Sequence, residues 1–225
     1  MTDRFDEDAL MAMDPERIRN FICAMDKGNA DYLDKLEIEA IENDVPIIRK
    51  DMQSLIKFLL YLTHPSNILE VGTATGFSAL LLAEYSDPDT KITTIEKYEK
   101  RIPIAKKHFE SFDKSNKITL LEGDANDILK TLSTGYDLIF MDAAKGQYEN
   151  FLPDVMRLLH KGALLITDNI LQDGDVISSR FAVTRRNRTI HERMREYIYD
   201  ITHRDDLQTV ILNTGDGVTL SVKIK

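Results

Sequence analysis

The sequence predicts an open, doubly wound α/β sheet carrying a helical extension at its N-terminus. From residue 67 onward, short runs rich in Ile, Leu and Val alternate with helix-length segments, and residues 207–225 hold two β-rich runs around a Gly-containing turn. Strands and helices alternating at this spacing mean βαβ units and a mostly parallel sheet buried on both faces. With 225 residues, 43% of them hydrophobic and 30% charged, the chain can bury a sizeable core and fits neither a disordered nor a collagen-like class.

The first third reads as helix. Ile18, Phe21, Ile22 and Met25, then Leu33, Leu36 and Ile41, recur at three- and four-residue intervals over 17–25 and 32–42. Val45-Pro46-Ile47-Ile48 breaks the pattern and residues 52–62 resume it. Residues 1–62 are therefore a helical extension and 63–225 the core of one domain spanning 1–225. Strands are expected at 67–72, 91–96, 117–124, 136–143 and 162–169, with helices between them. Pro103 suits the first turn of one of those helices. Asn213 to Gly217 marks a hairpin, so one antiparallel element should close the sheet edge.

Composition narrows the class further. The charge is 29 − 38 = −9, and residues 1–44 alone contribute 5 − 13 = −8. Cys23 stands alone and offers neither an intramolecular disulfide nor a thiolate cluster for zinc. The opening MTDRFDEDAL lacks the basic and apolar stretches of a secretory signal, and apolar runs such as Phe77 to Ala83 are too short to span a bilayer. A reduced, soluble, cytoplasmic protein without a membrane partner is expected. The five histidines show no metal-ligand spacing, and Met11, Met13 and Met25 read as packing.

Against this acidic background, residues 180–195 carry Arg180, Arg185, Arg186, Arg188, Arg193 and Arg195 with one acid, Glu192. The stretch is either a solvated helix face paired with acidic neighbours or a landing strip for phosphates, to which Arg presents a planar fork of donors.

In doubly wound sheets ligands bind beyond the carboxyl ends of the strands. After the first strand comes Glu70-Val71-Gly72-Thr73-Ala74-Thr75-Gly76, opening straight into a helix. Gly72 and Gly76 allow a tight turn and close approach of backbone to ligand. Glu96, ending the second strand, is placed to accept from a ribose diol, and Asp124-Ala125, ending the third, to meet an adenine. A tight turn with two exposed acids would leave the same trace. The loop lacks the third glycine of a dinucleotide site and has Glu70 ahead of it, which opposes a nicotinamide-dependent oxidoreductase. An anionic loop suits a cationic nucleoside without phosphate, such as S-adenosylmethionine.

The fourth strand ends in Asp142-Ala143-Ala144-Lys145 and the fifth in Asp168-Asn169. Two carboxylates and an amide are hard oxygen donors, suited to Mg²⁺, with Mn²⁺ or Ca²⁺ as substitutes, rather than zinc. A bound cation would help a substrate hydroxyl lose its proton, and Lys145 could take it. Singly, Asp142 reads as a strand-end cap and Lys145 as a solvated lysine. Their joint placement, with acids and an amide against open positions, opposes a noncatalytic nucleotide-binding module.

These residues resemble those of the cation-dependent O-methyltransferases related to catechol and caffeoyl-CoA O-methyltransferases. LEVGTATGFS, TIE, GDA, MDAAK and TDN follow in the family's order, and the similarity runs through roughly residues 40–225. The resemblance implies a Rossmann-like, seven-stranded, mostly parallel sheet with an antiparallel C-terminal strand, and a homodimer. It implies that Ile48, Glu70, Gly72, Phe77, Ser78, Glu96, Asp124, Ala125 and Asp142 line the S-adenosylmethionine site. Asp142, Asp168 and Asn169 would hold the metal, with Asp142 and Lys145 catalytic. Catechol-specific members are bulkier where this chain has Ala143 and Ala144. The DAAKGQY run, the VPI segment and the arginines look most like bacterial tRNA 5-hydroxyuridine methyltransferases. A tRNA anticodon loop, and no DNA, is then the expected partner, its phosphates held by the six arginines and its unstacked wobble base methylated. A small catechol or other vicinal hydroxyl compound is the alternative substrate.

Overall fold

A computed structural model of the chain describes residues 15–133, 135–143 and 145–225, with Pro15 and Lys145 described through their backbone alone. Helices α1 (Pro15–Ala24), α2 (Asp31–Glu42) and α3 (Lys50–Thr63) come first. The alternation follows as β1 (Asn67–Val71), α4 (Phe77–Tyr85), β2 (Lys91–Glu96), α5 (Ile102–Phe112) and β3 (Ile118–Glu122). It continues through α6 (Ala125–Thr131), β4 (Tyr136–Met141), α7 (Tyr148–Leu158) and β5 (Leu159–Thr167). Helix α8 (Arg188–His203) leads into the hairpin of β6 (Leu207–Leu212) and β7 (Val218–Lys223).

The seven strands lie in the order β3-β2-β1-β4-β5-β7-β6. Strands β1 to β5 pair in parallel, and β7 runs antiparallel to both its neighbours. The chain winds outward from β1 to β3 and then returns to lay β4 on the other side of β1. That reversal opens a crevice at the carboxyl ends of β1 and β4. The expected antiparallel element closes the sheet edge as the β6–β7 hairpin, with β7 inserted between β5 and β6 so that β6 is the outermost strand.

Successive side chains of a strand point to opposite faces, so each buried strand feeds two cores. Leu138 and Phe140 pack with Met52, Ile56 and Leu60 of α3 and with Leu33 and Leu36 of α2. Ile139 and Met141 pack with Val155 of α7 and with Met194, Tyr197 and Ile201 of α8. Helices α2 and α3 thus share a core with the sheet, whereas Phe21, Ile22 and Met25, expected to pack, are exposed. Helix α8 is more than the solvated face weighed for the arginine stretch, since His191, Met194, Tyr197 and Ile201 form a buried stripe at helical spacing.

Glu70 obeys the same alternation with an unexpected result. It sits opposite Thr94 in the β1–β2 register and is 0% exposed. Thr94 Oγ1 donates to its Oε2, while Oε1 has no hydrogen-bond partner. Burial pushes its carboxyl up to about 7, against the pull of the Ser78, Thr94 and Thr73 hydroxyls and helped by the charge of Asp142. The folded protein therefore holds this proton more tightly than the unfolded chain, whose value lies near 4.5. The stabilisation is full below that value and is lost as pH rises through about 7. Urea unfolding at pH 5 and pH 8 should show the wild type losing up to about 3 kcal/mol more than Glu70→Gln over this interval. Equal losses in the two proteins would mean that Glu70 titrates normally.

Candidate active site

The loop between β1 and α4 is tied down on three sides. Gly72 N donates to Ile95 O at 3.0 Å and Gly76 N to Thr73 O at 2.8 Å. From α5, His108 Nδ1 meets the Thr75 carbonyl at 2.8 Å; a carbonyl only accepts, so Nδ1 carries the proton. Both glycines have positive φ, +93° and +92°. A Cβ on Gly72 would run into the carbonyl oxygen of Asp142, and one on Gly76 into the Phe109 ring. The obstacle at residue 72 is backbone, and at both positions the left-handed φ strains any other residue.

Beside this loop lies a cavity of about 570 Å³ at the carboxyl ends of β1, β2 and β4. Its wall includes Ile48, Gly72, Phe77, Ser78, Glu96, Asp124, Ala125, Asp142 and Asn169. Sequence reasoning placed all of these at a ligand. It placed Glu70 there too, but Glu70 does not reach the wall. It lies in the sheet, beneath the loop it precedes.

Glu96 already holds the loop in shape, accepting from Ala74 N at 2.8 Å, Lys97 N at 2.9 Å and Tyr98 N at 2.7 Å. Asp124 is the N-cap of α6, its Oδ1 accepting from the backbone and side-chain amides of Asn126, both at 2.9 Å. Those bonds, with Lys97 at 3.2 Å, hold its carboxyl below the ordinary value. Both acids are fixed by the backbone while they face the cavity. Sequence reasoning missed Tyr98, Arg101, Gln147 and Phe151, which also line it. Gln147 lies within the DAAKGQY run but was not singled out, and no motif marks the other three.

Asp142, Asp168 and Asn169 come together as expected. Met141 pairs with Thr167 across β4 and β5, so the residues that follow emerge side by side. Asn169 Nδ2 donates to Asp142 Oδ1 at 2.9 Å, and Asn169 N to Asp168 Oδ1 at 2.7 Å. Asn169 reaches this position with φ at +60°, a left-handed conformation that Asn tolerates. Tyr148, buried beneath, donates to the Asp168 carbonyl at 3.1 Å. Asp168 is 3% exposed, and burial, then the charge of Asp142, pushes its carboxyl up to about 7. Asp216 and Asp51 add to that push. Among the described residues no group of three or more His, Cys, Asp or Glu is arranged for a metal, since this set is two acids and an amide. Lys145 opens a 3-10 turn over Lys145–Gln147. Its side chain lies outside the described residues, and so does Ala144.

The six arginines do not form one strip. Arg193 NH1 donates to Gly146 O at 3.1 Å, Arg195 NH1 to Val176 O at 3.0 Å and Arg188 Nε to Val183 O at 3.3 Å. Arg180 pairs with Glu192 at 3.5 Å. Arg185 and Arg186 are exposed, and no hydrogen bond or ion pair engages them among the described residues.

Comparison with known proteins bears on this geometry. The family model described as O-methyltransferase matches residues 24–224. The chain belongs to that family. It is 30% identical to caffeoyl-CoA O-methyltransferase 2 of Populus trichocarpa, over 78% of this chain and 74% of the relative. It is also 30% identical to the catechol O-methyltransferase of Mycobacterium tuberculosis, there over 54% of this chain and only 57% of the relative. A solved structure from Staphylococcus aureus, provisionally named a caffeoyl-CoA O-methyltransferase, superposes with a TM-score of 0.81 at 34% identity, covering 87% and 93% of the two chains. At 23% identity the fold alone is shared with TomG of Streptomyces achromogenes, solved with SAM, at a TM-score of 0.81 and coverages of 95% and 100%. Among the described residues no helix is long and apolar enough to cross a membrane.

An O-methyltransferase built around this loop should not accept a side chain at residue 72. Gly72→Ala should lower stability by about 2 kcal/mol or more, through a forced contact and a left-handed backbone. Thermal unfolding and calorimetric titration with S-adenosylhomocysteine would register both effects. Wild-type melting with wild-type affinity would contradict the tight approach.

Proposed function

We propose that this O-methyltransferase is dependent on S-adenosylmethionine, assisted by a divalent cation, and acts on 5-hydroxyuridine at the wobble position of tRNA. The observation that carries the reading is the placement of Asp142 and Asn169 on the wall of the cavity that the glycine loop borders, with Asn169 bonded to Asp142 and, through its backbone N–H, to the buried Asp168.

The donor set fits a hard cation. Two carboxylates held close, one of them buried and pushed up to about 7, repel each other, and a divalent ion between them would remove that repulsion. The Asn169 amide can turn its oxygen toward the same point by rotating about its last torsion. A divalent ion held there supplies Lewis acidity, easing the loss of a proton from a bound hydroxyl.

The remaining tasks fall to the protein's own residues. The Gly72–Gly76 backbone admits the nucleoside closely, Glu96 offers its carboxylate to the ribose hydroxyls, and Asp124 and Ala125 border the base. Ile48 and Phe77 supply apolar wall and help to exclude water. Lys145, beginning the turn after Asp142, is the residue assigned to take the hydroxyl proton. The reaction moves one methyl group from sulfur to oxygen, so bringing the two atoms to attack distance is the largest contribution the site can make.

The RNA reading is supported by Arg185 and Arg186, cations without a partner among the described residues in a chain of net charge −9. Arg193, on the helix that follows them, binds the Gly146 carbonyl in the turn after Asp142, and this tie supports the reading. A small catechol is the second reading, favoured by the names of the relatives above.

Methyl transfer from labelled cofactor to tRNA containing 5-hydroxyuridine, followed by nucleoside analysis, tests the choice. Product should form with Mg²⁺, disappear with chelator, and fall at least 100-fold in Asp168→Ala, whose affinity for S-adenosylhomocysteine should stay within about threefold. Transfer to catechol with none to tRNA would select the second reading, and transfer unaffected by chelator would defeat the cation.

A further inference from the structure

Between β5 and α8 the chain makes two consecutive turns about a single anchor. In the first, Ala182 N donates to Ser179 O at 2.9 Å, which puts Arg180 and Phe181 at the corners. In the second, Asn187 N donates to Thr184 O at 2.9 Å, which puts Arg185 and Arg186 there. Val183, between the turns, is buried. Its carbonyl accepts from Arg188, Asn187 Nδ2 donates to Asp175 Oδ2 at 3.0 Å, and His191 Nε2 donates to Ser178 O at 3.1 Å. The turns therefore rest on a base fixed to α8 and to the turn before it.

Their tips are unusual in composition. Phe181 is 88% exposed, the most of any large hydrophobic side chain described, and Ile177 just ahead of it is 75% exposed. A single exposed apolar residue needs no explanation. In sequence this one stands between Arg180 of its own turn, which pairs with Glu192, and two cations at the next turn that have no partner among the described residues. An aromatic face offered to solvent among guanidinium groups is what stacks an unpaired base while neighbouring phosphates are held. The base of the turns is tied to the catalytic loops, since Arg193 binds Gly146 O and Arg195 binds Val176 O.

We propose that Phe181 stacks on an unpaired base of the RNA substrate next to the one being methylated, while Arg185 and Arg186 hold the adjoining phosphates. The inference rests on the RNA reading above. It assigns two different tasks to the two turns, one insensitive to salt and the other governed by it.

The test uses the full-length protein with Mg²⁺ and S-adenosylhomocysteine. An anticodon stem-loop carries 5-hydroxyuridine at the wobble position and 2-aminopurine beside it. Binding by the wild type should quench the 2-aminopurine. Phe181→Ala should weaken binding by roughly tenfold and leave the probe unquenched, with the slope of log affinity against log salt unchanged. Phe181→Trp should restore both affinity and quenching, which a merely structural loss would not. Arg185→Ala and Arg186→Ala should each reduce the salt slope by about 0.7. Wild-type affinity and quenching in Phe181→Ala would overturn the inference while leaving the substrate reading intact. A wild type that neither binds nor methylates the stem-loop would instead overturn the substrate reading. A change in the sedimenting mass of Phe181→Ala, with stem-loop affinity unaltered, would give this surface to a second copy of the chain and overturn the proposal.

Discussion

The site depends on one steric constraint, the passage of the Asp142 carbonyl oxygen through the space that a side chain on residue 72 would fill. Strands β1 and β4 are parallel neighbours, with Val71 paired to Met141 and Asp142 N donating back to Val71 O at 3.1 Å. The ladder therefore continues one residue past both strands, and only a glycine lets it. A larger residue would drive the loops apart and separate the backbone that borders the cavity from the carboxylates beyond it. In a reaction that must bring a methyl carbon and a hydroxyl oxygen to contact, such a displacement bears directly on rate.

Much of this was legible in the sequence because parallel strands buried on both faces read as unbroken apolar runs. Where such a run ends in Gly, Asp or Glu, the chain leaves the sheet, and Gly72, Glu96, Asp124, Asp142 and Asp168 mark five such ends. The same physics hid Glu70. A strand buried on both faces shows no alternation of polar and apolar residues, so nothing in NILEVG tells whether Glu70 points along the loop or into the sheet. Strand order was equally silent at the C-terminus. The turn residues announce the β6–β7 hairpin, but which of its strands pairs with β5 is decided by packing across the whole sheet. In α8 the buried stripe is interleaved in sequence with Arg193 and Arg195, which draw the eye to charge.

The arginines illustrate how a count of charges differs from a charged surface. Arg193 and Arg195 spend donors on backbone carbonyls left without partners by irregular turns, Arg188 braces its own N-terminal turn, and Arg180 has an acid beside it. These contacts hold the segment in place and leave Arg185 and Arg186 to project from it. A fork of five donors serves both purposes, and for that reason composition alone does not separate the bracing residues from the exposed ones.

The ends of the chain complete what the strand ends begin. The β6–β7 turn is gripped by the segment entering α3, where Asp51 Oδ2 accepts from Gly215 N at 2.8 Å and Arg49 NH1 donates to Gly215 O at 3.2 Å. On its other side Asp216 Oδ1 accepts from Asp173 N at 2.7 Å, and Leu171 N donates to Asp216 O at 2.9 Å. Inserting β7 beside β5 is what brings this turn against Asp168, with Gly215 packed near its Oδ1. Asp51 and Asp216 thereby join the field that raises Asp168, although neither follows a parallel strand. The segment that ends at Arg49 is also the one whose Ile47 and Ile48 close the cavity. The helical extension, the C-terminal hairpin and the loop after β5 are thus tied together at one corner, which couples the Ile47–Ile48 wall of the cavity to the surroundings of Asp168.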